Sequence, residues 1–234
     1  MKKNHNSSIL LASIMSTAMC VGFSSCKDDE TENPATKSYL NCPDNNHPHL
    51  IDLGLPSGTK WACCNVGADK PEAFGGYYAW GETEEKSTYD WANYIHCDGS
   101  EETCHDIGSS IAGTQYDVAH VKWGGSWQMP TKEQCLELQS KCTNNWITIN
   151  GVNGHKFTGK NGGSIFLPAA GLHKGSDFNQ AGDIGHYWLG SQCFGSPGYS
   201  YHLYIDWGIV THPISEERFL GFSVRPVSKW KELL

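Results

Sequence analysis

The chain opens with two long segments of contrasting polarity. Residues 9–23 carry no charged side chain and follow two lysines near the start, whereas residues 27–46 are polar and contain two prolines. The apolar run is shorter than the roughly 20 residues of a membrane-spanning helix and follows a basic start, as export signals do. The polar run has little apolar surface to offset the entropy of ordering. We therefore predict a signal peptide over 1–25, a flexible tether over 26–46 and one domain over 47–230.

Short alternating segments and one capped helix are predicted in the first part of the domain. Leu50–Leu53 and Gly58–Ala62 have the composition of short strands. Thr131, with Gln134 three residues later, predicts a helix start stabilised by a capping box. Between these elements, residues 82–115 show no persistent period. We predict a long surface insertion there.

The last third predicts antiparallel strands joined by tight turns. Glycine-rich segments at 151–154 and 160–163 fit hairpin turns, and alternation of aromatic with small residues predicts strands near the C-terminus. The fold class is therefore α+β, with short helices early and antiparallel strands late. The six late strand candidates are Trp146–Asn150, His155–Gly159, Ser164–Leu167, Tyr187–Ser191, Tyr199–Asp206 and Gly221–Val227.

Charge and composition narrow the class of partner. The predicted signal holds two of the 17 basic residues and none of the 25 acidic ones, which leaves a net charge of −10 on the rest of the chain. Such an acidic surface is a poor partner for nucleic acid and for anionic head groups. Nine Trp, ten Tyr and eight Phe can fill the core of a domain of this length.

The end of the apolar run resembles the lipobox of bacterial lipoproteins. Phe23-Ser24-Ser25 places small residues before Cys26, the expected site of acylation. Cys20 is the competing site, but Met19 puts a bulky side chain where a small one is needed. Lys27-Asp28-Asp29-Glu30 resembles the acidic signal that sends lipoproteins of the Bacteroidetes to the outer face of the outer membrane, the alternative being a solvated charge run. We therefore expect a lipid-anchored outer-membrane protein exposed at the cell surface.

Eight cysteines follow the predicted anchor, and an even number in an exported chain favours disulfides. Cys97 and Cys104 bracket a short polar loop that can fold back on itself, so we predict a disulfide between them. The alternative is a zinc site in which His96 and His105 join these two cysteines.

A second bond is predicted between the helix and an earlier strand. Cys135 and Cys142 lie on one predicted helix at a separation of about 10 Å along its axis, too far to bond to each other. Cys63 and Cys64 are adjacent and extended, so only one of them can face the helix. A bond from one of this pair to Cys142 or Cys135 remains open, with Cys64 and Cys142 as the candidates.

The common short motifs of catalysis are missing from the sequence. It has no phosphate loop, no metalloprotease His-Glu-x-x-His and no Gly-x-Ser-x-Gly, and nothing pairs two of its carboxylates as glycoside hydrolysis needs. Most of its histidines lack ligand spacing, so we expect no metal and no cofactor. The scattered histidines are His47, His49, His173, His186, His202 and His212.

Aromatic residues crowd the last third, interleaved with Ser and Gly as on adaptable binding surfaces. Strand alternation sends about half of them inward, and we expect Trp188, Tyr204 and Trp207 in the core. An exposed ligand face is then expected to include Tyr199, Tyr201, His202 and His212.

Four ordered segments resemble the Fibrobacter succinogenes major paralogous domain, which is abundant in exported lipoproteins of the Bacteroidetes. The resemblance covers about residues 50–228. The matching segments are Ile51-Asp52-Leu53-Gly54-Leu55-Pro56-Ser57-Gly58-Thr59-Lys60-Trp61-Ala62, Tyr78-Ala79-Trp80-Gly81-Glu82, Gly125-Ser126-Trp127-Gln128-Met129-Pro130-Thr131 and Gly221-Phe222-Ser223-Val224-Arg225-Pro226-Val227.

This resemblance implies a C-type-lectin-like fold, in the branch shared with formylglycine-generating enzymes and with the variable proteins of diversity-generating retroelements. Gln128 stands where the branch has an arginine, and Ser223 precedes Val224-Arg225 in the closing strand, so the salt bridges of those arginines are not expected. Arg225 is expected to be structural. The enzymes of the branch use a late cysteine pair, whereas Cys193 has no cysteine after it.

The sequence therefore predicts a surface-exposed, lipid-anchored binding protein, adhesin-like, rather than an enzyme. Its ligand would be a glycan, a host protein or a phage, and in the sharper hypothesis a retroelement diversifies the ligand face. The alternatives are an enzyme related to the formylglycine-generating group with Cys193 as nucleophile, a carbohydrate hydrolase, and a purely structural envelope subunit.

Overall fold

The fold is seen in a computed structural model, in which Cys42 and residues 44–229 are described. The predicted signal peptide, the acylation site Cys26 and most of the predicted tether lie outside these residues. The described part is built mainly of antiparallel strands with few, short helices, which confirms the α+β class. In chain order the strands are β1 (Leu50–Asp52), β2 (Thr59–Ala62), β3 (Trp127–Gln128), β4 (Thr143–Ile149), β5 (Val152–Thr158), β6 (Ser164–Pro168), β7 (Leu172–Lys174), β8 (Asp177–Asn179), β9 (Ile184–Gln192), β10 (Tyr199–Asp206), β11 (Ile214–Glu217) and β12 (Val227–Lys229).

The strands form four sheets, and the first of them joins the two ends of the described chain. Its order is β1-β2-β12-β3, followed by sheets β11-β10-β9, β4-β5-β6 and β7-β8. In the first sheet Leu50 pairs with Ala62, and Val227 pairs with Trp61 on the other side of β2. The closing strand therefore completes a sheet that begins with the first residues of the domain.

In the described part of the chain, two α-helices each begin at a side-chain cap. The helix α1 (Val118–Trp123) begins at Asp117, and α2 (Lys132–Lys141) begins at Thr131 with the predicted capping box to Gln134. Two 3-10 turns, Trp91–Asn93 and Glu101–Thr103, lie earlier.

The cap of α1 is a fully buried carboxylate. Asp117 Oδ1 accepts from the amides of Ala119 (2.9 Å) and His120 (3.2 Å), and Oδ2 accepts from those of Gly113 (2.7 Å) and Met129 (2.8 Å). Burial raises the pKa of this carboxyl group, while these four amides act in the opposite direction. The carboxylate therefore ties the start of the helix to the segments on both sides of it.

The hairpin β4–β5 turns earlier than predicted, at Asn150-Gly151 rather than over 151–154. Asn150 and Gly151 both have positive φ, 48° and 81°, and Ile149 pairs with Val152 across them. The type I′ two-residue hairpin turn needs positive φ at both positions, which Asn-Gly provides. Gly154, placed in the turn by the sequence prediction, lies inside β5, where a Cβ would come 2.2 Å from the Leu167 carbonyl oxygen.

The hairpin β9–β10 separates two hydrophobic cores. Along β10, Leu203 and Ile205 face the first core, whereas His202 and Tyr204 face the opposite side, where Phe222 of the second core packs. Tyr187 and Trp188 of β9 divide between the two cores in the same way. Because both faces are covered, six consecutive residues of β9 are buried, at 185–190.

The irregular segment 82–115 is not only a surface insertion. Tyr89, Tyr94 and Ile111 are buried in the second core, and the Tyr94 hydroxyl donates to the Trp80 carbonyl at 2.6 Å. The segment therefore supplies part of the interior, and the prediction of a surface insertion was wrong for these side chains. The buried side chains include the large aromatic residues Tyr89 and Tyr94, whose spacing along the chain follows no regular period.

Arg225 is structural, as predicted. Its buried guanidinium donates to Asn65 Oδ1 at 2.7 Å and to the carbonyls of Ala62 (3.2 Å) and Cys63 (3.0 Å). Burial lowers the pKa of this arginine. Its hydrogen bonds link the closing segment to the end of β2.

Candidate functional site

The four residues predicted for the ligand face do not form one exposed face. Tyr199 and Tyr201 are half-buried, and His212 is exposed. His202 has 0% exposure, because β10 is paired on both edges and covered on both faces. Tyr201 lies under α2, with Lys132 Nζ 3.8 Å from the centre of its ring. The prediction for His202 is therefore corrected to a core position.

His202 pairs instead with a second buried histidine. Its Nε2 lies 3.3 Å from His186 Nδ1, and both rings pack against Phe222 at centroid distances of 5.0 and 4.7 Å. His186 Nε2 lies 3.3 Å from Gln180 Oε1. Burial lowers the pKa of His186 to about 4 and that of His202 to about 3. The pair is neutral at physiological pH and forms part of the interior.

Exposed apolar side chains concentrate in the loops around β10 and at the start of the neighbouring strand β11. Of the eight large hydrophobic residues exposed in the described part of the chain, four fall between positions 194 and 214. Isolated exposed hydrophobics are common on proteins, but a concentration of them marks a candidate contact surface. The four are Phe194 (99% exposed), Trp207 (80%), Ile209 and Ile214.

Trp207 was expected in the core and is instead the most exposed tryptophan described. Tyr204 is half-buried, and only Trp188 of the three expected core aromatics is fully buried. Strand alternation ends at Asp206, where β10 ends, so it does not apply to Trp207. Asp206 followed by Gly208 is the turn signal that could have placed this tryptophan outside the strand.

The loop that carries Trp207, residues 206–211, is here called the Trp207 turn. Asp206 Oδ1 accepts from the amides of Gly208 (2.9 Å) and Ile209 (2.8 Å), and the Tyr204 hydroxyl donates to Oδ2 at 3.1 Å. Burial acts to raise the pKa of Asp206, but these hydrogen bonds hold it below its ordinary value. The carboxylate therefore stays charged and keeps the turn closed.

Two other elements brace the Trp207 turn from outside. His155 of β5 has its Nε2 2.7 Å from the Asp206 carbonyl oxygen, and the Gln139 side chain of α2 donates to the Thr211 carbonyl. Trp146 packs edge-on against His155 at 5.2 Å. An exposed tryptophan on a turn fixed by three elements can contact a ligand with little further loss of conformational freedom.

Phe194 lies at the opposite end of β10 from Trp207. The strand has eight residues, so the two loops are separated by about 25 Å at 3.3 Å per residue. Cys193, the nucleophile of the enzyme hypothesis, lies beside Phe194, is unbonded and is half-buried. Its thiol is 3.9 Å from the Phe194 carbonyl oxygen. The two loops are therefore separate surfaces.

A group of potential metal ligands lies where the chain enters the first sheet. The ligand atoms of four residues all lie within 4.8 Å of one another. Sequence spacing did not single out these histidines, because the fold supplies the proximity: β1 pairs with β2 and brings the residue before β1 opposite the residue after β2. This group, the Cys/His cluster, consists of Cys42, His47, His49 and Cys63.

The sulfur of Cys63 is at the centre of the Cys/His cluster. It lies 3.1 Å from His47 Nδ1 and 3.7 Å from His49 Nδ1, and it accepts from the His49 amide at 3.0 Å. His49 Nε2 lies 3.0 Å from Asp44 Oδ1. The pKa of the Cys63 thiol lies below its ordinary value. The largest cause is a hydrogen bond from the Cys42 thiol, and the second is a hydrogen bond from the Cys64 thiol.

One predicted disulfide is confirmed and the other is not present. Cys97 and Cys104 are bonded, which excludes the zinc site proposed as their alternative, while Cys64 and Cys142 both carry free thiols in the first core. The Cys64 thiol hydrogen-bonds to Cys63, and it lies in the same core as Cys135 and Leu138 of α2.

A scan against protein-family models finds no match to this chain, and searches of the curated proteins and of the solved structures find none either. Among the residues that the structure describes, no helix combines the length and the apolar character needed to cross a membrane.

Proposed function

We propose that the chain is a surface-exposed outer-membrane lipoprotein, anchored through Cys26, whose domain binds a neutral glycan at the Trp207 turn. The four sequence segments that resemble the Fibrobacter succinogenes major paralogous domain support a C-type-lectin-like scaffold. The observation that carries the binding proposal is the 80% exposure of Trp207 on a turn braced by three elements.

The chemistry of the turn favours an uncharged ring as ligand. The face of an indole is electron-rich and attracts polarised C–H groups such as those of a sugar ring. The acidic chain disfavours anionic ligands. Host-protein and phage ligands remain outcomes of the test below.

Burial limits the positions at which a retroelement could diversify this region. Phe194, Trp207 and Ile209 are exposed and can vary without disturbing the interior, whereas Ser200 and His202 are fully buried. Diversification would then concentrate in the two loops at the ends of β10. Identical nucleotide sequence at these loop positions across related strains would contradict this part of the proposal.

Binding is tested with the full chain, purified in detergent and immobilised, against a panel of neutral glycans. We expect Trp207→Ala to weaken binding of the recognised glycan about 30-fold, the typical loss at a central aromatic contact. The matched control is Ile95→Ala, since Ile95 is 68% exposed in a different segment. Both variants should keep the wild-type Tm, because surface truncations rarely change stability by more than about 0.5 kcal/mol.

Two results would overturn the glycan proposal. One is the absence of any bound glycan in the panel, and the other is equal binding by the wild type and Trp207→Ala. If a host protein or phage particle is captured through Trp207, the ligand is not a glycan, but the binding surface is still the Trp207 turn.

Anchoring is tested separately in cells. We expect Cys26→Ser to release the chain from the membrane fraction and to remove incorporation of labelled fatty acid, with Cys20→Ser as the matched control. Protease added to intact cells should cleave the wild-type chain if it faces outward. Unchanged fatty-acid labelling of Cys26→Ser would contradict the anchor assignment.

A further inference from the structure

The Cys/His cluster has the composition and the spacing of a tetrahedral metal site. Zinc in structural sites is bound by four sulfur and nitrogen ligands, at about 2.3 Å for sulfur and about 2.0–2.1 Å for nitrogen, which separates the ligand atoms by roughly 3.3–3.8 Å. The cluster offers two thiols and two imidazoles within 4.8 Å of one another, and the sulfur of Cys63 lies 3.1 and 3.7 Å from the two imidazole nitrogens. Only small side-chain movements separate this arrangement from a closed coordination shell.

The backbone pairing explains why the ligands converge. Leu50 pairs with Ala62, so His49 lies opposite Cys63, and the Cys63 amide donates to the His49 carbonyl at 3.0 Å. His47 and Cys42 approach the same sulfur from the segment that precedes β1. The site therefore rests on a sheet at one side and on the entering chain at the other.

A carboxylate outside the cluster fixes one of its imidazoles. Asp44 Oδ1 lies 3.0 Å from His49 Nε2, which places the ring proton on Nε2 and leaves the Nδ1 lone pair directed at the cluster. Histidines that bind metals almost always donate their second ring nitrogen to a carboxylate, a carbonyl or water in this way. The contact is a second observation that points to a metal, independent of the four ligand atoms.

We propose that the Cys/His cluster binds one Zn²⁺ and thereby fastens residues 42–49 to the end of β2. Two sulfur and two nitrogen ligands in a tetrahedral arrangement favour Zn²⁺ over hard cations such as Mg²⁺ and Ca²⁺, which take oxygen ligands. The competing chemistry is a disulfide between Cys42 and Cys63 or Cys64. A disulfide would use neither imidazole, and Asp44 would then serve only its local turn, where Oδ1 accepts from the Asn46 amide at 2.7 Å.

The first measurement is metal content. The full chain is purified in detergent under argon with a thiol-free reductant, incubated with Zn²⁺, desalted and analysed by mass spectrometry of the metal. We expect about one zinc per chain, and with Co²⁺ in its place the absorption bands of a tetrahedral ion with thiolate ligands. Cys42→Ser and His49→Ala should abolish both signals, and these residues are chosen because they are less buried than Cys63.

Matched controls use the same residue types elsewhere. Cys193→Ser and His212→Ala remove a half-buried thiol and an exposed imidazole outside the cluster, and both should keep the wild-type zinc content. Asp44→Asn should keep the stoichiometry but weaken zinc affinity about 10- to 100-fold, the usual loss for a residue that orients a ligand.

Thermal unfolding gives a readout that does not depend on the metal assay. A chelator should lower the Tm of the wild type and of His212→Ala but leave that of Cys42→Ser unchanged, because only chains with the site have a metal to lose. The proposal is overturned if the wild-type chain retains no zinc, if Cys42→Ser retains as much as the wild type, or if peptide mapping of the unreduced chain finds Cys42 in a disulfide.

Discussion

The buried pair His186 and His202 makes the stability of the domain sensitive to mild acid. Burial lowers the pKa of His186 to about 4 and that of His202 to about 3, whereas both have a pKa of about 6.5 in the unfolded chain. As the pH falls, the unfolded state therefore takes up protons before the folded state does. The contribution of the pair to stability is complete above the unfolded pKa and is lost progressively as the pH falls below it.

The size of the stability loss depends on how far the pH falls below the unfolded pKa of each histidine. At about pH 5, each histidine lowers the free energy of unfolding by about 2 kcal/mol, because about 1.5 pKa units separate this pH from the unfolded value and each unit corresponds to about 1.4 kcal/mol. Both folded pKa values lie below this pH, so the two contributions add to about 4 kcal/mol. A domain has a total stability of about 5–15 kcal/mol, so the loss is large.

The assay is denaturant unfolding followed by tryptophan fluorescence at about pH 7.5 and about pH 5. His202→Gln retains an amide N–H near the position of Nε2 but cannot titrate, and we expect it to lose about 2 kcal/mol less than the wild type between the two conditions. His212→Gln, at an exposed site, should lose as much as the wild type. The lowered pKa values of His96, His155 and His173, which burial causes, affect all three chains and cancel. An equal loss in His202→Gln and the wild type would refute the reasoning.

Two further substitutions test close packing and buried hydrogen bonding, both by denaturant unfolding at neutral pH. Gly154→Ala should lower the free energy of unfolding by about 3 kcal/mol, because its Cβ would lie 2.2 Å from the Leu167 carbonyl oxygen; a loss below about 1 kcal/mol would contradict the assigned register. Asp117→Asn should cost about 3 kcal/mol, because the new amide group would face two backbone donors. The control Asp90→Asn, at the half-buried cap of a 3-10 turn, should cost less than about 1 kcal/mol, and equal losses at the two caps would show that the full burial of Asp117 has no effect.

The local elements of this chain could be predicted because short-range rules determine them. β10 spans Tyr199–Asp206 as predicted, since its alternation is bounded by turn residues on both sides. The capping box of α2 formed as predicted for the same reason. The turn at Asn150-Gly151 was misplaced because a second Asn-Gly pair follows at 153–154, and only the packing of Gly154 against Leu167 decides between them.

The sites could not be predicted because they depend on contacts between distant segments. Alternation along β10 predicted the two faces of the strand. It did not predict that both faces are covered, because the face of His202 packs against Phe222, a residue from a distant segment that belongs to the second core. The Cys/His cluster depends on the pairing of Leu50 with Ala62, so no single stretch of sequence has the spacing of its ligands. Trp207 is exposed because β10 ends one residue before it. The exact end of a strand is the feature that a sequence pattern predicts least accurately.

Because the β9–β10 hairpin lies between the two cores, we expect both cores to unfold together under denaturing conditions. Both cores pack against the hairpin. Tyr187 and Leu203 lie in the first core, and Trp188 lies in the second. A fluctuation that detaches the hairpin would expose apolar surface in both cores at once, and neither core could persist alone. The two clusters therefore form a single cooperative unit, and their loss should follow one transition rather than two.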